Sequence, residues 1–554
     1  MSLASADMAG LGPGRQAKSA GIARPGTAED ARIALPVILF IFSILVPFAF
    51  NAGPVLLNGV RIVLLVMTVP LFFQLVSGRF GKLIIPDYFL FFHVIWMALA
   101  VFANNPDRVV EHVGVSGMEI FGGYLLGRAY IRTRAQFLRL VKGVAWVIVL
   151  MLPLAIYETQ TGRPFIIEAL RSLPGITSYQ PVFADKRLGL ERVQGSFAHP
   201  IHFGLFCAMV MPVCYFAFQE SMARTPRLFL TAFTFLSAFL GLSSGVILAL
   251  VAQIILISWY LLLINVKQRW AIMAGLFVAA YVAIDVASTR DPLRVFMSYA
   301  TFSSHTAYWR SIIFEWGWMN IFGSVENNIP AAPLFGIGLK EWIRPPYMFS
   351  GSMDNFWLVV GVRYGVPGAV SVMVAYFWAL WKIGRRTGLE GDKELLDIRR
   401  GWMFVFVGLA FTLATVHIWT SLYAYVFFFF GAGMWLLTAE PRGAEGAGDP
   451  ALAGSHMGGD MNGDTGGGLG PYSRFPIAAR SRDPKPPEPP EPRSPRETQA
   501  HRGQSARAVP RPPHHPSRGS ATTHPPGTAA QKAGAQTGPQ KTGRLAPRHP
   551  PRKP

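Results

Sequence analysis

Residues 244–265 read SGVILALVAQIILISWYLLLIN, a run with no charged side chain. An α-helix rises 1.5 Å per residue, so about 20 apolar residues reach across the ~30 Å hydrocarbon layer of a bilayer. The run ends where Lys267 and Arg269 stand, and a second apolar run follows over 269–287. A run, a cationic break and another run is the pattern of helices that cross a membrane.

Similar runs lie near 34–50, 54–76, 84–103, 109–128, 136–157, 199–219, 226–242, 355–381, 400–418 and 420–438. Together they predict an all-α, polytopic integral membrane protein with about twelve transmembrane helices. The runs at 34–50 and 226–242 are short. Composition agrees: 51% of the 554 residues are hydrophobic and 15% are charged, where a soluble domain carries about 25% charged residues.

Loop charge predicts the orientation. Arg79 and Lys82, then Arg128, Arg132 and Arg134, then Arg224 and Arg227, then Lys267 and Arg269, and finally Lys382, Arg385, Arg386, Lys393, Arg399 and Arg400 fall in alternate connections. The N-terminal segment adds Arg15, Lys18, Arg24 and Arg32, and the opposite short loops hold little beyond Arg108. By the positive-inside rule both termini are cytoplasmic. Two longer loops, near 158–198 and 288–354, then fall on the periplasmic face; their arginines do not conflict, because long loops translocate largely regardless of charge. The net charge of +20 would otherwise suggest nucleic acid, but its placement in short loops and in the tail points to no nucleic-acid partner.

Three segments follow: a cytoplasmic N-terminal segment (1–33), a transmembrane domain (34–440) and a Pro-rich basic tail (441–554). The tail holds 17 Lys and Arg against 8 Asp and Glu. Its composition cannot bury enough apolar surface to offset the entropy of ordering, so it reads as disordered. Its charge can hold it near anionic headgroups, although a solvated tail without a specific role is the plainer reading. The first apolar run begins past residue 30 and reads as a signal anchor. Cys207 and Cys214, the only cysteines, stand seven apart on one apolar run, roughly 10 Å along a helix. That is too far for a disulfide, and they read as small buried hydrophobes.

Ionisable residues at membrane depth face a bundle interior or a wet cavity. Arg61 and Glu119 could pair with each other or meet a substrate. Asp285 can reach the interface, and Arg363, about two turns into its span, is either structural or substrate-facing. Trp309, Ile312, Ile313 and Trp316 recur at helical spacing, which predicts an amphipathic helix lying at the membrane surface.

Three stretches carry chemistry: RVQGSFAHPIHFG at 192–204, PLFGIGLKEW at 333–342 and SMDNFWLVVGVRYGVPG at 352–368. In the first, Pro200 suits the first turn of a helix. In the third, Asp354 and Asn355 stand where the large loop re-enters the membrane. Here the sequence resembles the O-antigen ligase and polymerase superfamily of bacterial membrane glycosyltransferases. Arg192, Gly195, Ser196, Phe197, His199 and Pro200 match that family's Arg followed by G-[ST]-F-x-[HN]-P. Ser243, Ser244 and Gly245 match a serine-rich step into a helix. Arg310, Pro333, Leu334, Gly336 and Gly338 match a loop arginine followed by P-L-x-G-x-G. Asn355, Leu358, Gly365 and Gly368 match H-N-x-x-L and a later G-x-x-G. The ordered set covers residues 190–370. The family's ligases carry His where this chain has Asp354, which favours a polymerase or exopolysaccharide enzyme.

The resemblance implies transfer of a glycan from a polyprenyl (undecaprenyl) diphosphate-linked oligosaccharide to a glycan or lipid acceptor at the periplasmic face of a bacterial inner membrane, among membrane lipids and with other polysaccharide-assembly proteins as possible partners. The chemistry can also be argued directly. The diphosphate needs cationic stabilisation as it leaves, and the acceptor hydroxyl needs a base. No D-x-D, H-E-x-x-H or cysteine cluster occurs, so neither metal nor cofactor is expected. Arg192 and Arg310 can do the first task by forking onto phosphate oxygens. Asp354 is the candidate base. Arg192 and Asp354 are therefore the catalytic candidates, with Arg310, His199, Asn355 and Arg363 as substrate-binding ones. The rival readings are a secondary transporter, which twelve spans would suit, and a non-catalytic assembly protein. Against the transporter stand its missing internal repeat and the placement of the long loops.

Overall fold

The computed structural model describes residues 32–52, 55–288, 295 and 304–442. The chain starts with α1 (Leu35–Leu45), makes an antiparallel hairpin of β1 (Ala49–Ala52) and β2 (Val55–Asn58), and continues into α2 (Gly59–Val76) and α3 (Ile85–Asn104). α4 (Val109–Gly117) passes through a π-helical turn (Met118–Gly122) into α5 (Gly123–Tyr130), and α6 (Arg134–Thr161) and α7 (Phe165–Arg171) follow. After a long loop come α8 (Pro200–Ala208), α9 (Met211–Ala217), α10 (Arg224–Leu240), α11 (Ser244–Leu262) and α12 (Arg269–Ala287). α13 (Ser304–Phe322), α14 (Phe356–Gly384), α15 (Lys393–Leu413) and α16 (Thr420–Gly431) complete the described chain.

Among the described residues, eight helical segments are long and apolar enough to cross a membrane: 59–76, 85–104, 134–161, 200–217, 244–262, 269–287, 356–384 and 420–437. Their outer faces need hydrocarbon. No residue of α12 is buried by the rest of the protein, and Leu276, Phe277, Val278 and Val282 are exposed along it. In water that surface would be an unstable apolar patch, so the protein is membrane-embedded.

The remaining four expected runs differ. α1 has 11 residues and α10 has 17. The run at 109–128 is interrupted by the π-helical turn, and α15 opens with Lys393, Glu394, Asp397, Arg399 and Arg400. The β-hairpin corrects the all-helical expectation at the ends of two predicted spans. Pro47 has no N–H to continue α1, and helical continuity ends there. The hairpin is tied to the first long loop, where Ala49 and Thr177 exchange backbone bonds of 2.8 and 3.0 Å. The tail from 443 onward, the first 31 residues, and 289–294 and 296–303 of the large loop lie outside the described residues.

Two buried ion pairs tie the first helices together. Arg61 Nε lies 3.2 Å from Glu119 Oε1, within the π-helical turn. Arg128 lies 3.6 Å from Asp87, which also accepts a 2.5 Å bond from the Tyr124 hydroxyl. Cys207 and Cys214 are both buried. Small residues let α5 and α16 touch backbone to backbone: a Cβ added at Gly123 would meet Ala424 O at 2.6 Å, at Gly127 Phe428 O at 2.1 Å, and at Gly431 Tyr124 O at 2.2 Å. Close approach through small residues is how membrane helices gain dispersion contact without a hydrophobic driving force.

α14 is broken at Gly365, whose φ is +74°, two residues before Pro367. Proline has no N–H and cannot bond the carbonyl four residues back, so Arg363 O needs another donor. The 333–338 loop supplies it. Gly338 N donates to Arg363 O at 3.0 Å, Ile337 N to Val362 O at 2.8 Å, and Val366 N turns outward to Pro333 O at 2.7 Å. From α3, Trp96 Nε1 donates to Tyr364 O at 2.9 Å, and His93 Nδ1 lies 2.9 Å from Gly368 O.

A Cβ at Gly365 would stand 2.1 Å from Leu334 O, on backbone of φ +74° and ψ −178°, a region essentially reserved for glycine that costs about 1–3 kcal/mol. Gly365→Ala should lower the thermal midpoint in detergent and the yield of folded protein. Gly391→Ala, in open space, should change neither. Equal melting of both variants would show that the break tolerates a side chain.

Candidate active site

The three motif stretches each open or lock a helix. His199 is the N-cap of α8, and its Nδ1 accepts from Ile201 N at 3.2 Å. With Nδ1 accepting, the neutral ring carries its proton on Nε2. Ser243 caps α11. Asn355 caps α14, its Oδ1 accepting from Leu358 N at 3.0 Å. Asn355 is buried and its oxygen is committed to the helix.

α13 carries Arg310. Its apolar face was expected at the membrane surface, but Ile312, Ile313 and Ile321 instead form a buried cluster with Leu358, Val359 and Val362 of α14 and with Trp342, Met348 and Met353 of the loop. Gly317 allows this approach: a Cβ there would meet Leu358 Cδ2 at 2.4 Å. Arg310 is thereby held 8% exposed, and its Nε and Nη1 have no hydrogen-bond partner among the described residues.

Arg310 and Asp354 line one cleft of about 340 Å³, with Trp309, Ile313, Met348, Phe349, Ser350 and Ser352. Ser352 Oγ donates to Asp354 Oδ1 at 2.7 Å and orients the carboxylate. A second cleft of about 270 Å³ meets the first at Ser352, and its lining includes Lys340, Glu341, Trp342, Arg363 and His417. The six candidate residues are therefore not all in one cavity. Arg310 and Asp354 share the first cleft and Arg363 lines the second. Arg192 and His199 stand beside the first: the Asp354 charge is felt at both Arg310 and His199, and Arg192 acts on His199.

Two residues escaped the sequence reading. Arg187 donates to Leu242 O at 2.8 Å and to Ser244 Oγ at 3.4 Å, so the serine step holds an arginine beside the site. Its signal was its place five residues before Arg192 in the same loop. His417, in the turn between α15 and α16, gave no sequence signal. It stacks between Phe356 and Trp419.

The electrostatics favour an anion. Burial, then the neighbouring Arg187, pulls the Arg192 guanidinium down to about 10, which still leaves it charged at neutral pH. Burial lowers Arg310 too, with Asp354 opposing. Burial and the adjacent Arg192 push His199 down to about 4, and burial and Arg363 push His417 to about 3. Both histidines are neutral at pH 7. Desolvated cations with unfilled donors are prepared to fork onto phosphate oxygens. Among the described residues no group of three His, Cys, Asp or Glu is placed to hold a metal ion.

His417 has a depressed folded pKa, so the unfolded state binds its proton first as pH falls. Stability is intact above about 6.5 and is lost as pH drops below that value toward the folded pKa. From pH 7 to 5 the wild type should lose on the order of 1 kcal/mol through this residue, discounted for its partial exposure. His417→Gln should melt with a smaller difference between the two pH values. An unchanged difference would show that His417 does not couple to folding.

The chain matches no protein-family model and no curated protein, and the chemistry of this site rests on its own residues.

Proposed function

We propose that this protein is a metal-independent glycosyltransferase of the O-antigen ligase or polysaccharide polymerase type. It moves a glycan from a polyprenyl (undecaprenyl) diphosphate to a glycan or lipid acceptor during exopolysaccharide or O-antigen assembly. The observation that carries this reading is Arg310: a buried guanidinium with two unfilled donors, in the same cleft as the serine-held carboxylate of Asp354. A desolvated cation with unpartnered nitrogens, lining the same cleft as a carboxylate, suits a reaction that releases an anion and a proton together.

In this reading the acceptor hydroxyl oxygen bonds to the anomeric carbon of the donor sugar. The bond from that carbon to the diphosphate breaks, and the diphosphate leaves with the electron pair. Arg310 and Arg192 take up the growing negative charge, where low dielectric strengthens each interaction. Asp354 receives the hydroxyl proton. His199 stays neutral beside the arginines and can donate through Nε2 without adding a charge. Holding donor and acceptor in line contributes more than the basicity of an exposed carboxylate. The two longer loops and the site would face the periplasm, with about twelve spans and both termini in the cytoplasm, as loop charge favours.

The test is transfer by the purified protein from a polyprenyl diphosphate oligosaccharide, alongside glycan analysis of a deletion strain. Polymerase loss leaves single repeat units on lipid; ligase loss leaves full-length unattached polymer. Asp354→Asn should cut transfer by about 100-fold or more, the usual contribution of a general base, at normal protein levels. Arg310→Ala should do the same, and Arg310→Lys should recover little, because a point charge cannot fork onto two oxygens. Near-normal transfer by Asp354→Asn removes Asp354 from the chemistry. A deletion strain with unaltered surface and secreted glycans sinks the whole reading.

A further inference from the structure

Far from the candidate site in sequence, a groove of about 640 Å³ runs between α1 and α6. Its apolar walls are Ile33, Val37, Ile41 and Leu45 at helical spacing on one side, and Leu140, Val144 and Val147 on the other. Its floor is open at Gly143, where an added Cβ would meet nothing within 4 Å. Among the described residues, charge stands only at one end: Arg32 just before α1 and Arg139 in the second turn of α6, both exposed, and no acidic side chain lines the groove.

This geometry combines two recognition elements at a fixed offset. The apolar walls extend over about three turns of α1, some 18 Å at 1.5 Å per residue, the scale of an acyl chain in one leaflet. The arginines sit where the walls begin, at the N-terminal ends of α1 and α6, next to the cationic 128–134 stretch. Guanidinium pairs recognise phosphate oxygens, and arginines at the ends of membrane helices sit at headgroup depth. A second protein helix would fill the walls but would leave two cations without a counter-charge. A free phosphate would satisfy the cations and leave the walls empty.

We infer that the α1–α6 groove is a binding site for an anionic phospholipid, its phosphate held by Arg32 and Arg139 and one acyl chain lying along Ile38, Ile41, Phe42 and Val147, the lining side chains that keep accessible surface. The site is separate from the cleft of Arg310 and Asp354 and does not depend on what that cleft does.

The experiment is native mass spectrometry of the whole protein in detergent, titrated with phosphatidylglycerol or with phosphatidylcholine. Wild type should retain phosphatidylglycerol at about tenfold lower concentration than phosphatidylcholine, as two surface arginines predict. The double variant Arg32→Gln/Arg139→Gln should lose that preference, and Arg32→Lys/Arg139→Lys should keep most of it. Gly143→Leu, which fills the floor without changing charge, should reduce retention of both lipids while leaving the melting temperature in place. Unchanged preference in the glutamine double variant overturns the inference. So does full retention in Gly143→Leu, displacement of the lipid by inorganic phosphate alone, or a wild-type dimer that Gly143→Leu dissociates.

Discussion

A proline two residues past a left-handed glycine leaves carbonyls in the middle of α14 without their helical donors, and in hydrocarbon an unpaired backbone group costs several kcal/mol. The structure answers with donors from outside the helix. Ile337 and Gly338 satisfy Val362 and Arg363, Pro333 accepts from Val366, and α3 contributes Trp96 and His93. The 333–338 loop is thus bonded into the membrane helix like an extra strand of its ladder. The other parts of the site follow from that junction. The loop is pinned further by Asn105 Oδ1, which accepts from Leu339 N at 2.8 Å. The same loop leads to Ser352 and Asp354, and the first turns of α14 support the helix that carries Arg310.

The charge pattern divides the molecule in two. Away from the clefts cations are paired: Arg61 faces Glu119, Arg128 faces Asp87, and at the starts of α6 and α15 Arg134 is shared by Asp392 and Glu394 at 2.5 and 2.9 Å. Beside the clefts, Arg187, Arg192, Arg310 and Arg363 gather with Asp354 as the carboxylate that lines the first cleft. Burying a cation without a partner is expensive. The cost is borne where Arg310 stands, and a site that keeps unfilled guanidinium donors is tuned to bring an anion in. The neutral histidines agree, because burial and the arginines together keep His199 and His417 uncharged.

How much of this was legible depends on whether a property is local. Long uncharged runs reported the membrane helices directly, since length and apolarity are one-dimensional. Caps were legible too: His199–Pro200, Ser243 and Asn355 start α8, α11 and α14 at the residues the motifs mark, because capping uses neighbours in sequence. What failed needed a partner from elsewhere. The β-hairpin is bridged to Thr177, over a hundred residues away. The amphipathic face of α13 was correct, but its occupant is α14 and not lipid, and periodicity cannot tell those two apart. His417 belongs to the site through folding alone.

The glycine seam between α5 and α16 bears on how the protein is made. Gly127 and Gly431 are separated by some 300 residues, and at 5–20 residues per second a ribosome needs roughly 15–60 s to span that interval. Throughout that time α5 lies in the membrane with its closest partner unsynthesised and its glycine face in contact with lipid. Lipid chains cannot fit a backbone as closely as another helix does, so the nascent bundle waits in a loosely packed state that only the last helix can close. The order of translation therefore leaves final locking to a segment at the far end of the membrane domain, and chains that stop short of it are left unsealed for quality-control proteases to find.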